Sequence, residues 1–395
     1  MVTVTEHYDA YPYPARDPKD EARRLITGSP SRPIEMDHFL WGGRRDWSKP
    51  LRVLVAGGGS GDGLVQLAQL LTDAKRPYDI TYIDLSTSAR AVAEARVAQR
   101  GLKGITFHTG SLLDAPELGR FDYIDCCGVL HHLPDPNAGF SALSAACAPG
   151  GGMGMMVYAP YGRSGVYPLQ EAFGTLLHGL PPEARLAAAK DILSRLPNGH
   201  PFKRNQQLVD HRASDAGFYD LLLHGQDRAF DIHSLLTTLA DTGWELASFC
   251  QPGLYEPERI TGQPHALPPA EAMAVAEKLR GTIKVHVAYV VPNGSKVTPN
   301  RSLDRVPHLG APAAKLAQLV AAGKPVPIRI DGEAMPITLP KNCAPLIAQV
   351  DGRRPLSAIA RHADRDVLTF GAEWNAVERA FLPWGLLHYS TLLSG

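Results

Sequence analysis

The feature that most constrains the fold is an apolar run that leads directly into a glycine-rich turn, VLVAGGGSGDG at residues 53–63. The first three residues have the composition of a buried parallel strand. Glycines occupy alternate positions of the turn: Gly57, Gly59 and Gly61. Without a Cβ at these positions the backbone can approach a ligand closely, and the helix that begins near Asp62 offers free N–H groups. The run therefore predicts a site for a nucleotide-type cofactor.

The glycine spacing separates two classes of cofactor. The dehydrogenase fingerprint requires glycine at the first, third and sixth positions. Counted from Gly57 the sixth position is Asp62, and counted from Gly59 it is Leu64. The spacing therefore argues against NAD as the cofactor.

Two later strands supply further contacts for such a cofactor. The segment ITYIDLS at 80–86 is predicted to be a second buried strand. It contains Asp84, whose carboxylate can accept hydrogen bonds from both hydroxyls of a ribose. Residues 105–109 alternate as a third strand and lead into GSLLD, where Ser111 and Asp114 can meet the edge of an adenine ring.

Two more strands and three helices complete the pattern. The fourth strand begins at Phe121 and leads into a loop at 128–136, and the fifth spans 153–158. Apolar residues recur at helical spacing in three intervening segments: 64–71, 89–99 and 137–147. This alternation predicts an α/β fold with a doubly wound parallel sheet and a ligand at the carboxyl ends of its strands.

These segments resemble, in sequence order, a class I S-adenosylmethionine-dependent methyltransferase over residues 51–158. The resemblance implies a Rossmann-like seven-stranded sheet with an antiparallel final strand, and S-adenosylmethionine as the cofactor. It implies these cofactor-binding residues: Gly57, Gly59 and Gly61 at the methionine part and ribose, Asp84 at the ribose hydroxyls, Ser111 and Leu112 beside adenine, and Cys127, Gly128 and Val129 at the methyl-transfer end. Leu85 and His132 are further cofactor-binding candidates.

A narrower resemblance involves two flanking segments. HYDAYPYPARDP at 7–18 and VYAPYGRSGVYPLQEAF at 157–173 are similar to segments of a bacterial subgroup of these enzymes. That subgroup includes tetratricopeptide-linked members and protein-lysine methyltransferases that modify outer-membrane proteins, although this sequence has no tetratricopeptide repeat. The resemblance extends the expectation to a protein-lysine acceptor.

The N-terminal tyrosines fit neither a helix nor a strand, because Pro12 and Pro14 interrupt both periods. We expect residues 1–50 to cover the cofactor mouth, with Tyr11 or Tyr13 at the methionine carboxylate. A disordered start of the chain is the alternative.

Candidate catalytic residues follow the fourth and fifth strands. His131 can accept a proton from an attacking nucleophile, although in the family this loop mainly supports the cofactor. Tyr158, Tyr161 and Arg163 lie at the rim where an acceptor enters, and a tyrosine hydroxyl there can orient an amine. A packed aromatic turn with a surface arginine is the alternative. No metal site is predicted, because His131 and His132 are adjacent and lack the i, i+4 spacing that places two rings on one helical face.

Composition limits the partners and the compartment. Lysine plus arginine and aspartate plus glutamate both number 40, so no excess positive charge attracts nucleic acid or an anionic membrane. The five cysteines form no C-x-x-C pair, which favours a reduced protein without a structural zinc. The sequence also lacks a signal-peptide pattern and a long apolar stretch. We therefore expect a cytoplasmic protein with no nucleic-acid or membrane partner.

The chain of 395 residues is long enough for two or three domains. A mostly helical stretch at 166–224 predicts an insertion over the carboxyl edge of the sheet, as an acceptor lid or a dimer contact. The last 80 or so residues resemble a winged-helix unit of the peptide-binding kind. The expected organisation is an N-terminal cofactor-covering segment (1–50), a methyltransferase core (51–160 and 230–292), a helical insertion (161–229), a linker (293–312) and a small α+β winged-helix-like domain (313–395).

Three candidate functions follow from these expectations. The first is N-methylation of a protein lysine or peptide by in-line displacement. The second is small-molecule O- or N-methylation, which the helical insertion fits equally well, and the third is a non-catalytic cofactor-binding protein. After the fourth strand the chain has Cys-Cys-Gly-Val at 126–129, where base amino-methylating enzymes carry an Asp/Asn-Pro-Pro-aromatic turn. Methylation of nucleic-acid bases is therefore not expected. A homodimer through the insertion is a further expectation.

Overall fold

The computed structural model describes residues 16–295, 297–298, 300–330 and 333–394. Tyr11 and Tyr13, which are expected at the cofactor mouth, lie outside the described residues. Within the described part of the chain, no helix combines the length and the apolar character needed to cross a membrane.

A seven-stranded sheet forms the centre of the molecule. Its strands are β1 (Leu51–Ala56), β2 (Tyr78–Asp84), β3 (Ile105–Thr109), β4 (Phe121–Cys127), β5 (Cys147–Tyr158), β6 (Trp244–Phe249) and β7 (Val285–Pro292). The spatial order is β3-β2-β1-β4-β5-β7-β6, and β7 is antiparallel to both of its neighbours while the other strands are parallel to one another. This topology confirms the predicted doubly wound sheet with its antiparallel final strand.

Helices surround the sheet and form two additional layers of structure. In chain order they are α1 (Pro33–Trp41), α2 (Asp62–Asp73), α3 (Thr87–Gln99), α4 (Ala115–Leu118), α5 (Pro136–Ala146), α6 (Val166–Leu176), α7 (Pro182–Arg195), α8 (Pro201–Arg204), α9 (Asp210–Ala213), α10 (Asp215–Leu223), α11 (Ile232–Asp241), α12 (Glu258–Thr261), α13 (Pro269–Arg280), α14 (Ala313–Ala321), α15 (Ala344–Ala348), α16 (Leu356–His362) and α17 (Val367–Phe381). Short 3₁₀ turns follow four strands of the sheet: Leu112–Asp114 after β3, Leu130–His132 after β4, Tyr161–Arg163 after β5 and Pro252–Tyr255 after β6.

The side chains of the central strands alternate between two apolar cores. Val53 and Val55 of β1 belong to the same core as Tyr123. Leu54 points to the opposite face and packs in the other core with Ile124. Because both faces are covered, the central strands are buried on both sides, as is typical of parallel sheets.

Local capping fixes where the helices beside the cofactor edge begin. The Ser86 hydroxyl accepts a hydrogen bond from the Ala89 N–H at 3.1 Å and starts α3. Before α5, the Asp135 carboxylate accepts a hydrogen bond from the Asn137 N–H at 3.0 Å, and proline occupies the first helical position. These caps end the loops after β2 and β4 at defined residues.

Helices α6 to α10 form the predicted helical insertion. They enclose an apolar core of their own, which contains three phenylalanines: Phe173, Phe202 and Phe218. Where the chain returns to the sheet, the Arg228 N–H donates to the His131 carbonyl and the Phe230 N–H donates to the Tyr158 carbonyl, both at 2.9 Å. The insertion therefore stands over the loop after β4 and the end of β5.

The described part of the predicted covering segment packs on the core. Arg16 Nη2 lies 2.6 Å from the Asp62 carboxylate at the start of α2. Further along, the Ser31 hydroxyl donates to Asp125 Oδ2 at 2.5 Å, beneath the carboxyl end of β4. The segment thus runs from the glycine turn to the centre of the sheet before it enters α1.

From residue 300 onward the described chain forms a C-terminal unit with two antiparallel strand pairs. Its strands are β8 (Pro307–Leu309), which pairs with β11 (Leu387–Tyr389), and β9 (Val326–Ile330), which pairs with β10 (Glu333–Ile337). β8 lies inside the stretch predicted as a linker, 293–312, so the ordered unit begins earlier than expected. The pairing partner of β8 is almost 80 residues away, and no local pattern indicates it. The winged-helix assignment stays a prediction.

A buried carboxylate fastens this unit to the core. Asp37 of α1 is fully buried. It accepts four hydrogen bonds: from Arg45 N (2.9 Å), Trp47 Nε1 (3.0 Å), Ser390 Oγ (2.7 Å) and Thr391 N (3.0 Å). The end of the chain is therefore docked on α1 rather than joined to the core only through a linker.

Candidate active site

The glycine turn after β1 forms an open cradle. Gly57, Gly59 and Gly61 all adopt positive φ angles, of +66°, +50° and +91°. A Cβ on Gly57 would lie 2.5 Å from Val129 Cγ2, so the turn packs directly against the loop after β4. A Cβ on Gly59 would meet no atom within 4 Å, and this position faces open space. The turn can therefore receive a ligand at Gly59.

The carboxylate of Asp84 is fixed at the edge of this cradle. Its Oδ2 accepts a hydrogen bond from the Gly59 N–H and its Oδ1 accepts one from the Ser86 N–H, both at 2.8 Å. Burial raises the pKa of Asp84, and these backbone hydrogen bonds oppose part of that rise. Each carboxylate oxygen keeps lone-pair capacity for a hydroxyl of a ligand.

The predicted adenine side differs from the expectation at one residue. The Ser111 hydroxyl and the Asp114 carboxylate form a reciprocal capping box around the 3₁₀ turn at Leu112–Asp114. The turn directs the Leu112 side chain into the core, whereas an open position beside adenine is expected; its contact with adenine stays a prediction. Leu85 and Leu113, at 53% and 45% exposure, are the leucines that offer an open apolar surface there.

The loop after β4 closes the other side of the cradle. The Gly128 N–H donates to the Met156 carbonyl of β5 at 3.1 Å, and Gly128 has φ +78°. Burial raises the pKa of the Cys127 thiol well above its usual range, so the residue is a neutral part of the wall. The predicted residues Gly57, Asp84 and Val129 are thus brought to one edge of the sheet.

A group of stacked rings lies next to this loop, on the side where an acceptor is expected to enter. The ring centroids of His131 and Tyr158 are 3.8 Å apart, and those of His131 and His132 are 4.1 Å apart. His132 also stacks on His224 of the insertion at 3.9 Å. His132 therefore connects the loop after β4 to the insertion, and its contact with the cofactor stays a prediction.

Arg163 is buried in the same group, although a surface position was the alternative expectation. Its guanidinium carbon lies 3.6 Å from the Tyr158 ring centroid. Nη2 is 3.4 Å from Asp227 Oδ2, and Nε donates to the Tyr167 hydroxyl at 3.0 Å. Arg163 is therefore a fixed cation beside Tyr158.

Tyr161 does not join this group. It lines a separate cleft of about 390 Å³ together with Ser164, Arg204 and Thr282. The 3₁₀ turn at Tyr161–Arg163 sends adjacent side chains to different sides, because successive residues in such a turn point about 120° apart.

Three acidic or imidazole side chains at this site come from the insertion: Asp220, His224 and Asp227. Tyr158 donates from its hydroxyl to Asp220 Oδ2 at 3.4 Å. None of the three is among the predicted site residues. The i, i+4 spacing of Asp220 and His224 at the end of α10 is the one local signal that indicates a shared face.

Burial lowers the pKa of His131 well below its usual range, and the neighbouring His132 and Arg163 lower it further. The imidazole is therefore neutral at physiological pH. A neutral ring keeps a lone pair that can bind a cation, and the lowered pKa makes this ring a weaker proton acceptor than an ordinary histidine.

The part of the chain that forms the cofactor edge matches a known protein family. Residues 54–153 match the family model of a methyltransferase domain. The chain contains a class I methyltransferase domain. The predicted family, with S-adenosylmethionine as its cofactor, is confirmed for this domain, and the exposed cradle at Gly59 with the Asp84 carboxylate fits a nucleoside-type cofactor.

Relatives in sequence cover parts of the chain. An uncharacterized protein of Synechococcus sp. is 32% identical over 272 residues, which are 67% of this chain and 63% of that protein. A ubiquinone biosynthesis O-methyltransferase of Psychrobacter arcticus is 33% identical over 96 residues, 24% of this chain and 36% of that protein. The chain thus spans less than two thirds of the length of these relatives.

The fold extends the likeness beyond the methyltransferase domain. The structure of PKMT2 from Rickettsia typhi aligns with a TM-score of 0.63 at 14% identity, over 91% of this chain and 75% of that chain. A second structure of PKMT2, in complex with AdoHcy, aligns over the same shares with a TM-score of 0.62. At this identity the likeness shows a shared fold, and the narrower subgroup stays a prediction.

Proposed function

We propose that the protein transfers a methyl group from S-adenosylmethionine to the side-chain amine of a lysine in a protein or peptide. The choice of a lysine as the acceptor rests on one observation, the hydrogen bond from the Tyr158 hydroxyl to the Asp220 carboxylate. Packed contacts connect this pair to the cofactor cradle. Gly57 of the cradle lies against Val129 in the loop after β4, and His131 of the same loop packs on the ring of Tyr158.

The charges of the acceptor side favour an amine. Asp220 and Asp227 contribute two carboxylates, whereas Arg163 contributes one guanidinium. A lysine ammonium is therefore attracted to the site, and Asp220 and Tyr158 can accept its hydrogen bonds. Burial and the nearby Arg163 both favour loss of the proton from the bound amine. The free lone pair is then available without a dedicated base.

The roles of the remaining residues follow from their positions. When bound, S-adenosylmethionine supplies a methyl group on a positively charged sulfur. Asp84 and the N–H-rich turn at Gly59 hold the nucleoside part, and the insertion excludes water from the acceptor side. Positioning and water exclusion are the main contributions that such a displacement requires.

The test uses tag-free protein, radiolabelled methyl donor and an extract of cells that lack the gene. We expect label in protein bands, on lysine, and a strong decrease in Asp220→Asn with unchanged donor affinity. Asp215→Asn is the matched control, because Asp215 lies exposed at the start of the same helix and pairs with Lys190. Label at other residue types, or equal rates for the two variants, would contradict the proposal.

A small-molecule hydroxyl is the second candidate acceptor, and one observation favours it. A hydroxyl needs a base, and the neutral His131 lies 3.8 Å from Tyr158 by ring centroids. Label found only in the small-molecule fraction would support this candidate and exclude the lysine acceptor.

A further inference from the structure

Among the described residues, neither ring nitrogen of His131 has a hydrogen-bonding partner. The residue is 1% exposed, and both Nδ1 and Nε2 are buried. Its backbone carbonyl accepts a hydrogen bond from the Arg228 N–H at 2.9 Å. Buried polar groups in folded proteins are almost always bonded. The unsatisfied ring is therefore a candidate ligand for a bound ion.

Two neighbouring side chains, those of His132 and Asp227, offer ligand atoms close to this ring. His132 Nδ1 lies 3.0 Å from the Gln226 carbonyl, which can only accept, so Nδ1 carries the hydrogen and Nε2 keeps a lone pair. Asp227 Oδ2 accepts from Gln170 Nε2 at 2.9 Å and from Arg163 Nη2 at 3.4 Å. Asp227 Oδ1 is buried and has no hydrogen-bonding partner in the described part of the chain.

We propose that His131, His132 and Asp227 bind one divalent transition-metal ion of the Zn²⁺ type. Their ligand atoms lie within 4.8 Å of one another. Metal bonds of about 2.0–2.2 Å require these atoms to approach further, by roughly 1 Å. Two imidazoles and one carboxylate are a ligand set that suits Zn²⁺ and related ions, and they leave one tetrahedral position for water.

The second shell of the site supports this assignment. The hydrogen bond from His132 to a backbone carbonyl fixes the tautomer, as metal-bound histidines require. Gln170 and Arg163 hold the other oxygen of Asp227 and thereby orient Oδ1. The positive charge of Arg163 weakens cation binding, whereas the nearby Asp220 carboxylate offsets it.

A neighbouring group, which consists of His132, Asp220 and His224, has similar spacing but is less suited to an ion. His224 Nδ1 already accepts a hydrogen bond from the Gln226 N–H at 3.1 Å, so its Nε2 carries the proton in the neutral ring. Asp220 already accepts a hydrogen bond from Tyr158. The ion is therefore assigned to the first group.

Such an ion would join the loop after β4 to the end of the insertion. Metal binding would stabilise the contact between the core and the insertion, and the added positive charge would weaken the attraction of a lysine ammonium to Asp220. With the ion bound, His131 is a ligand and not a free base. The sequence gives no direct indication of this site, because Asp227 lies almost 100 residues after the histidine pair.

The test measures metal binding directly. Tag-free full-length protein is treated with a chelator, dialysed and titrated with Zn²⁺ by calorimetry, and Co²⁺ serves as an absorbance probe of the ligand geometry. We expect one equivalent of saturable binding and a rise in melting temperature. His131→Ala and Asp227→Asn are expected to lower the affinity by about 100-fold or more.

The control is His233→Ala, because His233 is an exposed histidine at the start of α11. It should bind Zn²⁺ as the wild type does. Absence of saturable binding to the folded wild-type protein would overturn the proposal, and so would undiminished affinity in folded His131→Ala. The Zn²⁺ titration and the melting temperature do not depend on methyl transfer. A protein that binds no Zn²⁺ can therefore still be a methyltransferase, and a protein without methyltransferase activity can still bind Zn²⁺.

Discussion

Gly59 lies where the turn after β1 leaves open space, and this single position makes the cofactor cradle possible. Its φ of +50° lies in the left-handed region, and a Cβ there would point into the cradle rather than into protein. Gly57 has a similar φ but faces Val129. The two glycines therefore serve different needs: one provides room for a ligand and the other allows close packing.

We expect Gly59→Ala to lower the affinity for S-adenosylmethionine by at least about 10-fold. The added methyl group would occupy the cradle, while left-handed strain would lower the free energy of unfolding by only about 1 kcal/mol. Calorimetric titration and urea unfolding measure the two effects. Gly174→Ala in α6 is the control, since its Cβ meets no atom within 4 Å. Unchanged affinity in Gly59→Ala would rule out this role.

Asp125 shows how burial determines the charge of a residue beneath the site. Its Oδ2 accepts hydrogen bonds from the Ser31 hydroxyl at 2.5 Å and the Tyr123 hydroxyl at 3.2 Å. Burial raises the pKa of Asp125 to about 6, because these hydrogen bonds oppose only part of the desolvation. The folded state thus holds the proton more tightly than the unfolded chain. The resulting stability is present below about pH 4 and is lost as the pH rises through 6.

We expect Asp125→Asn to flatten this pH dependence, because the amide imitates the neutral carboxyl group. Between pH 5 and pH 8 the wild type should lose about 1.4 kcal/mol more unfolding free energy than the variant. Urea unfolding at both pH values measures the difference. Glu35, whose pKa burial also raises, is retained in both proteins and cancels in the comparison. If the unfolding free energies of the wild type and of Asp125→Asn changed with pH in the same way, the raised pKa of Asp125 would be contradicted.

At the scale of elements, ion pairs rather than apolar packing alone hold the N-terminal segment on α3. Glu21, in the 3₁₀ turn at Pro18–Ala22, is buried and bonds Arg96 Nε at 2.7 Å and Arg100 Nε. Arg96 is 1% exposed and also reaches Asp62 at 2.7 Å, next to the glycine turn. The segment is therefore anchored beside the cofactor cradle.

We expect Glu21→Gln to lower the free energy of unfolding by about 3 kcal/mol, because it leaves the buried guanidinium of Arg96 with one carboxylate instead of two. Glu94→Gln, which removes an exposed i, i+4 pair with Arg90, should cost only about 0.5 kcal/mol. Chemical denaturation of both variants tests the contrast. An equal loss of unfolding free energy in the two variants would show that the buried ion pairs stabilise the protein no more than the exposed pair does.

At the scale of the whole molecule, the C-terminal unit and the core depend on each other. Asp37 joins α1 to Ser390 and Thr391, and Arg76 donates to the carbonyls of Leu392 and Ser394. Deletion of the chain beyond residue 292 would expose this interface. Loss of activity after such a deletion would therefore not reveal whether the unit binds a peptide.

We expect Asp37→Ala to weaken this interface by about 3 kcal/mol, because it leaves four donors of a buried site without their acceptor. Calorimetry should then show two unfolding transitions, and limited proteolysis should release the C-terminal unit. Asp46→Ala, at an exposed position in the same region, is the control. A single unshifted transition in Asp37→Ala would contradict this coupling.

The sequence by itself determined the cofactor edge of the protein and the class of its sheet. The glycine turn, Asp84 and the alternation of strands and helices are properties of short segments, where backbone preference and burial period act locally. The tertiary structure alone decided the inward position of Leu112, the separation of Tyr161 from Arg163, and the pairing of β8 with β11. It also decided the meeting of His131 and His132 with Asp220, His224 and Asp227. These contacts join residues far apart in the chain, or depend on how one turn is oriented, and no local pattern encodes either.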